Sequence, residues 1–174
     1  KTPQHFAIGF KEIWEVENDK HSPGDVVHTM GWPLNEGTTG GGFLYHFDNK
    51  RVAVGLIVDL NYTNTSHNPF QEFQQFKKHP KVKQFLDSGK RVSYGARAIT
   101  KGGINSLVKM DFNGGMIIGC DAGTLNPSKI KGSHCALQSG ILAAEYINKI
   151  LNEEICDFDD LFKASPLYKE LYKS

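Results

Sequence analysis

Residues Gly114 to Ile147 read GGMIIGCDAGTLNPSKIKGSHCALQSGILAAEYI. The run from Met116 to Gly119 predicts a short buried strand, and Ser133 to Leu151 has the apolar spacing of a long helix. A polar loop that contains Pro127 separates the two. The helix N-terminus is therefore expected to face the end of the strand, where its unpaired N–H groups favour a large anionic or electron-accepting ligand.

The residues upstream of this stretch alternate as in strands and contain one helical region. Asn68 and Pro69 give that helix an acceptor at its cap and a proline in its first turn, and Pro80 predicts a break within it. Antiparallel strands around one helical region, followed by a strand and a long helix, predict an α+β fold. The predicted strands are Phe6 to Val16, Val26 to Leu34, Gly41 to Phe47, Arg51 to Leu60, Arg91 to Ile99 and Ser106 to Phe112. The third and fourth are predicted to form a hairpin, because Asp48, Asn49 and Lys50 between them have the composition of a turn.

The composition argues against several classes of protein. The 174 residues suffice for one domain and a part of another, and a net charge of +1 gives no reason to expect a nucleic-acid partner. No apolar run is long enough to cross a bilayer. Because Cys120, Cys135 and Cys156 are widely spaced, we expect free thiols rather than a disulfide framework or a metal site.

The sequence predicts a piece of a longer protein. The first residues, KTPQHFAIGF, lack an initiator Met and the pattern of a signal peptide. The fingerprint G-x-G-x-x-G, which opens a dinucleotide-binding domain, does not occur in the sequence. We therefore expect a fragment that holds only part of a cofactor site.

Five motifs together give the chain a specific resemblance. The segment GCDAGTLNPSKIKGSHCALQSGILAAE (119–145) is similar to the second flavin-contacting motif of flavoproteins with two dinucleotide-binding domains. With the upstream motifs, nearly the whole chain resembles the electron-transfer flavoprotein–ubiquinone oxidoreductase family. The upstream motifs are HTMGWPL (28–34), GGGFLYH (40–46), NPFQEFQQFKKHP (68–80) and YGARAITKGGINSLVK (94–109).

The resemblance implies a division of the chain. Residues 1–112 correspond to the quinone-binding domain of the family, an antiparallel or mixed sheet with covering helices. Residues 113–152 correspond to the final strand and helix of its Rossmann-like FAD domain. Residues 153–174 form an amphipathic tail.

The resemblance also implies an activity, that of an electron-transferring-flavoprotein dehydrogenase. The intact enzyme passes electrons from reduced electron-transfer flavoprotein through FAD and a [4Fe–4S] cluster to ubiquinone. It works at the cytoplasmic face of the bacterial inner membrane or the matrix face of the mitochondrial one. The cysteine quartet that would hold the cluster is not in this sequence. Because the chemistry is electron transfer, no catalytic acid, base or nucleophile is expected.

Six residues are candidates for contact with the flavin. The Asp121 carboxylate can accept a hydrogen bond from a ribityl or ribose hydroxyl. The Ser133 hydroxyl can face the ring or simply cap the helix, and the helix N-terminus favours the negative charge of a reduced flavin. The other four candidates are Asn105, Gly123, Asn126 and Gly132.

Gly40 to Gly42 are the candidate quinone site. Glycines let backbone groups approach a planar ligand with no Cβ in between, and the family places its ubiquinone head group at the first two of these positions. From the residues alone, a flexible strand entry or a bulge is the alternative. His46 could donate a proton to reduced quinone, but a hydrogen-bonded core histidine is favoured for it. No two of His28, His46 and His134 have the spacing of metal ligands on one helical face.

The apolar residues of the tail predict a membrane contact by resemblance, although a helix docked on its own protein would look similar. The aromatic residues Trp32, Phe70, Phe73 and Phe76 could line a quinone channel, but core packing is favoured. The four tail residues are Leu167, Tyr168, Leu171 and Tyr172.

The sequence is also compatible with two other hypotheses. The chain could belong to a two-domain flavoprotein of the hydroxylase or geranylgeranyl reductase type, with substrate-shaped polar groups near Gly40 to Gly42. It could also be an inactive, ligand-free module when expressed alone. Without a phosphate-binding loop it should lose most of its FAD affinity, and we expect a colourless preparation.

Overall fold

The computed structural model of this protein describes residues 2–35, 37–129 and 132–174. The chain forms two compact units. The first consists of residues 7–98 and is built on a five-stranded sheet. The second combines residues 1–6 with 99–174 and consists mainly of helices.

The sheet has five strands: β1 (His5–Glu15), β2 (Val26–Met30), β3 (Gly40–Phe47), β4 (Arg51–Asp59) and β5 (Lys90–Lys101). Their order is β2-β3-β4-β1-β5, and β2 with β3, β3 with β4, and β4 with β1 pair antiparallel. β3 and β4 form the hairpin that the sequence predicts. In its turn Asn49 and Lys50 adopt φ angles of 60° and 57°.

Two helices, α1 (Pro69–Lys78) and α2 (Pro80–Leu86), follow the hairpin. The Asn68 side chain accepts two N–H groups of the first turn of α1 at 3.1 and 3.2 Å. His79 has a ψ of 132° because the residue before a proline is disfavoured in the helical region. The predicted cap at the start of α1 and the predicted break before Pro80 are both confirmed.

One face of the sheet packs against these helices. Val54 and Leu56 of β4 have no exposed surface, and Phe73 and Phe76 of α1 are almost fully buried. Gly42 is the registered partner of Leu56, so both lie on this face. Of the aromatic residues for which core packing was favoured, Phe73 and Phe76 are confirmed as core residues. Phe70, in contrast, is 52% exposed.

The second unit contains β6 (Asp111–Phe112), β7 (Gly115–Met116), α3 (Gly119–Ala122), α4 (Ser133–Leu151), α5 (Phe158–Ala164) and α6 (Pro166–Tyr172). The predicted bounds of the long helix are confirmed by α4. Cys135 from α4 lies in one core with Phe158 and Phe162 from α5 and with Leu167 and Leu171 from α6. In the parts of the chain that the structure describes, no helix is long and apolar enough to cross a membrane.

Two strand predictions in this unit are wrong. Met116 to Gly119 is not a buried strand: only Met116 of this run pairs, with Asp111, and Gly119 turns the chain into α3 with a φ of +67°. The predicted strand from Ser106 to Phe112 is reduced to the two residues of β6. A strand exists only where a neighbouring strand pairs with it, and alternation in the sequence does not reveal the partner. The predicted α+β class is confirmed, with an antiparallel sheet and covering helices.

Candidate functional site

The three glycines at the start of β3 are enclosed by their neighbours. A Cβ on Gly40 would lie 2.1 Å from the Ile57 carbonyl oxygen, and one on Gly41 would lie 2.6 Å from the Thr29 carbonyl oxygen. Both glycines remain half-buried rather than buried. Strand packing therefore requires glycine at these positions, and it leaves part of their backbone accessible.

Gly42 lies on the same face of the sheet as Gly40, opposite to Gly41, and is buried. Its N–H donates to Thr29 Oγ1 at 3.1 Å, and a Cβ would lie 2.3 Å from Phe76 Cζ. The ring of Phe76 thus occupies the space of a side chain at this position. Gly42 is a packing glycine, and it does not present free backbone to a ligand.

An apolar groove of about 460 Å³ lies beside Thr29 and Phe76, on the helix-covered side of the sheet. Trp32 is 51% exposed and Met30 is 91% exposed, and both line the groove. Of the four aromatic residues proposed for a channel, Trp32 and Phe76 line this groove. Its walls are apolar except for Thr29, His79, Lys81 and Gln84.

His46 and His28 have different surroundings. His46 is buried, and its Nδ1 accepts the N–H of Ser22 at 3.2 Å. Burial and the neighbouring His21 hold the pKa of His46 below its ordinary value, so the ring is a neutral core residue. The interpretation as a hydrogen-bonded core histidine is confirmed for His46. His28 lies at the surface, where its Nε2 is 3.1 Å from the Tyr45 hydroxyl.

A buried carboxylate that sequence reasoning missed lies within the first unit. Glu12 is 2% exposed, and its oxygens accept hydrogen bonds from Lys77 Nζ at 2.8 and 2.9 Å, Trp14 Nε1 at 2.9 Å and Arg91 at 3.1 Å. Burial alone would raise the pKa of Glu12, but these hydrogen bonds outweigh it and lower the pKa. A signal was available, because strand alternation places Glu12 on the same face as Phe10 and Trp14.

In the second unit, the start of α4 lies beside α3. The N–H of Gly119 donates to Ser139 Oγ at 2.9 Å, and a Cβ on Gly119 would lie 3.5 Å from that of Ala136. Gly132 is the N-cap residue of α4 and provides no side-chain cap, and Ser133 is exposed in the first turn. The first turn of α4 is thus accessible near its N-terminus, as a ligand at this point would require.

The other candidate flavin residues differ in their surroundings. Asp121 is exposed in the single turn of α3, and Gly123 ends that turn with a φ of 93°. Asn105 is exposed, and its carbonyl oxygen accepts the N–H of Thr2 at 3.0 Å. Contacts of these three residues with a flavin remain predictions.

Asn126 belongs to a hydrogen-bonded network instead. Its Nδ2 donates to Glu170 Oε1 at 2.9 Å, and its Oδ1 accepts the N–H of Lys129 at 3.2 Å. Since Asn126 is 1% exposed and both ends of its amide are engaged, its predicted contact with a flavin edge is wrong. Asn126 instead holds the loop before α4 to α6.

Glu170 is the centre of this network. Its Oε1 lies 2.7 Å from His134 Nε2, and its Oε2 lies 3.1 Å from Lys129 Nζ. Hydrogen bonds from His134, then Asn126 and Lys129, lower the pKa of Glu170 to about 2. His134, Cys135 and Glu170 have possible metal-ligand atoms within 4.8 Å of one another, but the Lys129 ammonium opposes a cation there. The expected absence of a metal site remains a prediction.

Replacement of Glu170 by glutamine is expected to destabilise the protein at neutral pH and to have less effect as the pH falls. The folded-state pKa lies below the ordinary 4.5, so the stabilisation is present above that pH and is lost as the pH falls to about 2. Urea denaturation of both proteins across this range measures the difference. Glu145→Gln, at an exposed position of α4, is the control. A difference that does not change with pH would contradict the assignment.

The predicted membrane contact of the tail requires a correction. Leu167 and Leu171 are 1% and 2% exposed and pack into the core of the second unit, so the prediction is wrong for these two side chains. They are the apolar face by which α6 docks on its own protein. Tyr168 is half-buried and Tyr172 is 72% exposed, and for these two a membrane contact stays a prediction.

Solved structures with a similar fold place the chain in a structural class. A geranylgeranyl bacteriochlorophyll reductase-like protein from Thermoplasma acidophilum superposes with a TM-score of 0.66 at 16% identity, over 98% of this chain and 38% of that one. A flavin-dependent brominase gives a TM-score of 0.60 at 18% identity, over 91% of this chain and 39% of that one. The chain shares the fold of the matched part of these two proteins.

Sequence comparison identifies the family. Residues 6–99, more than half of the chain, match the family model described as ETF-QO, ubiquinone-binding. The protein named electron transfer flavoprotein-ubiquinone oxidoreductase in Pseudomonas aeruginosa is 59% identical over 98% of this chain and 32% of its own length. The mitochondrial protein of that name in Homo sapiens is 45% identical over 98% of this chain and 30% of its own length. The chain belongs to the electron transfer flavoprotein–ubiquinone oxidoreductase family, and it spans about a third of the length of these relatives.

Proposed function

We propose that this chain is the quinone-binding part of an electron transfer flavoprotein–ubiquinone oxidoreductase. The enzyme passes electrons from reduced electron-transfer flavoprotein through FAD and a [4Fe–4S] cluster to ubiquinone. The observation that carries the proposal is the match of residues 6–99 to a ubiquinone-binding family model. This range coincides closely with the compact unit of residues 7–98.

The quinone head group binds at the half-buried backbone of Gly40 and Gly41. Neither residue has a side chain, and part of the backbone of both is accessible. A planar ring can therefore approach the main chain, and backbone groups can hydrogen-bond a quinone oxygen. Gly42 supports the site indirectly, because it allows Phe76 to pack beneath β3.

The flavin lies at the N-terminus of α4 in the longer protein. The absence of a side-chain cap at Gly132 and the exposure of Ser133 suit a ligand at that point. The helix dipole there favours negative charge on the flavin ring. When bound, FAD would supply one-electron chemistry, and this chain would supply one edge of its site. In this proposal residues 113–152 are the end of the FAD domain, and the quinone-binding domain lies within residues 1–112.

A large part of the FAD domain covers α4 in the longer protein. Leu137 is 70% exposed and Ile141 is 67% exposed on α4. Together with Gly140 and Ala144 they line a shallow groove along the helix. Apolar side chains on a helix of this length need a partner surface, and the relatives have about two thirds of their length outside the matched region. The cysteine ligands of the iron–sulfur cluster belong to that remainder.

We also propose that the chain contacts a membrane and that the longer protein receives its electrons from a partner protein. The exposed Tyr172 and the exposed apolar end of α4, Ile150 and Leu151, suit contact with lipid headgroups. Electron-transfer flavoprotein is the electron donor.

A titration with decylubiquinone tests the quinone proposal. Saturable quenching of tryptophan fluorescence is expected in detergent, because Trp14 and Trp32 both belong to the first unit, which holds the proposed site. Decanol, which has the alkyl chain but no quinone ring, is the control and should not quench. Equal responses to the two compounds, or no saturation with decylubiquinone, would contradict the proposal.

A further inference from the structure

A glycine in β1 has no explanation in the packing of the fold. A Cβ on Gly9 would lie 3.7 Å from Ile57 Cγ1 and 3.9 Å from the Arg97 carbonyl oxygen, both ordinary contact distances. Gly41 and Gly55 differ, because a Cβ on either would clash with a neighbouring strand or side chain at 2.6 Å or less. Glycine within a strand weakens it and often marks the close approach of a ligand.

Gly9 lies in one row with the proposed quinone site. Ile57 of β4 is the registered partner of Gly9 on one side and of Gly41 on the other. Registered residues of antiparallel strands point to the same face, so these three lie side by side on the face away from α1 and α2. All three are half-buried. Neighbouring strands are about 4.8 Å apart, which separates Gly9 from Gly41 by about 10 Å.

We infer that Gly9 is a specificity-determining residue for the ring of the quinone. The inference rests on the proposed function, in which a quinone oxygen meets the backbone at Gly40 and Gly41. A substituted benzoquinone ring fits the width of this row. It lies across Ile57, and its methoxy substituents occupy the space that a side chain at Gly9 would fill.

The test compares two quinones on the 174-residue protein and its variants. Gly9→Ala should fold, since the added Cβ meets only ordinary contacts, and Gly9→Val adds two methyl groups beyond that Cβ. Gly9→Val is expected to raise the Kd of decylubiquinone about tenfold, because the valine methyl groups fill the methoxy space. Duroquinone, with methyl groups in place of methoxy groups, should lose less affinity. Gly9→Ala should have a smaller effect in the same order.

The matched controls are Gly95→Ala and Gly95→Val on the exposed part of β5, where a Cβ would have no neighbour within 4 Å. Circular dichroism and thermal unfolding verify that each variant folds. If Gly9→Val binds decylubiquinone as the unsubstituted protein does, or weakens both quinones equally, the inference about Gly9 is overturned and the proposed function stands. If the unsubstituted protein binds neither quinone, both are overturned.

Discussion

Glu12→Gln is expected to lower the free energy of unfolding of the first unit by about 3 kcal/mol. The Glu12 side chain is 3% exposed, and Lys77, its nearest cationic partner, is 13% exposed. Loss of the carboxylate leaves the ammonium group of Lys77 buried without its counter-charge, and such a charge costs more than the pair itself contributes. Urea denaturation of the two proteins at neutral pH measures the change.

A double-mutant cycle with Lys77→Met measures the interaction between Glu12 and Lys77 separately from the contacts of each side chain with other residues. We expect the double variant to be more stable than the sum of the two single changes predicts, by at least about 1 kcal/mol. Glu15→Gln is the matched control on the same strand, since Glu15 and Arg51 are 4.0 Å apart with about half of each side chain exposed. It should change stability by less than about 1 kcal/mol. Additive effects of Glu12→Gln and Lys77→Met would show that the two groups do not interact.

Phe76→Ala is expected to lower the free energy of unfolding by about 3–5 kcal/mol. The ring is 2% exposed, and its removal leaves a cavity beneath β3. Phe70→Ala on the same helix is the control, and it should cost much less because Phe70 is 52% exposed. Chemical denaturation with a fluorescence readout measures both. A small effect of Phe76→Ala would mean that the sheet and α1 close over the cavity.

The same ring explains why position 42 is glycine. Gly42→Ala is expected to lower the free energy of unfolding by about 1–3 kcal/mol, since the new Cβ would lie 2.3 Å from the Phe76 ring. In a Phe76→Leu background the cost should be smaller, because leucine vacates part of that space. An unchanged cost would assign the requirement for glycine to Thr29, whose Oγ1 would lie 2.7 Å from the Cβ.

This distinction matters for the quinone proposal, because adjacent glycines in one motif have different roles. Gly42 is a packing residue under a helix, whereas Gly40 and Gly41 keep half-buried backbone on β3. If Gly42→Ala weakens quinone binding, the cause would therefore be a shift of β3 and not the loss of a contact between Gly42 and the quinone. Gly9→Ala avoids this difficulty, since the fold has room for a Cβ at position 9.

Much of the local structure could be predicted from the sequence, because its causes lie within a few residues. Asn68 caps α1, Pro80 breaks the helical region, and the hairpin turns at residues 48–50, as their side-chain chemistry dictates. The bounds of α4 follow from apolar spacing alone. The family also follows from the sequence, since its motifs extend over nearly the whole chain.

Contacts between distant residues could not be predicted in this way. Glu170 meets Asn126 from 44 residues away and His134 from 36 residues away, so neither the network nor the engagement of Asn126 is visible in a local pattern. The apolar spacing of α6 suits a lipid surface and a protein core equally well, and only the packed structure buries Leu167 and Leu171.

The caps, the turns, the long helix and the family follow from the amino-acid sequence alone, because these depend on residue chemistry at short range. Which strands pair, which face each glycine occupies and which polar groups are already engaged are known only from the folded chain. Pairing and burial depend on residues that only the folded chain brings together, and they distinguish the packing glycine at position 42 from the unexplained glycine at position 9.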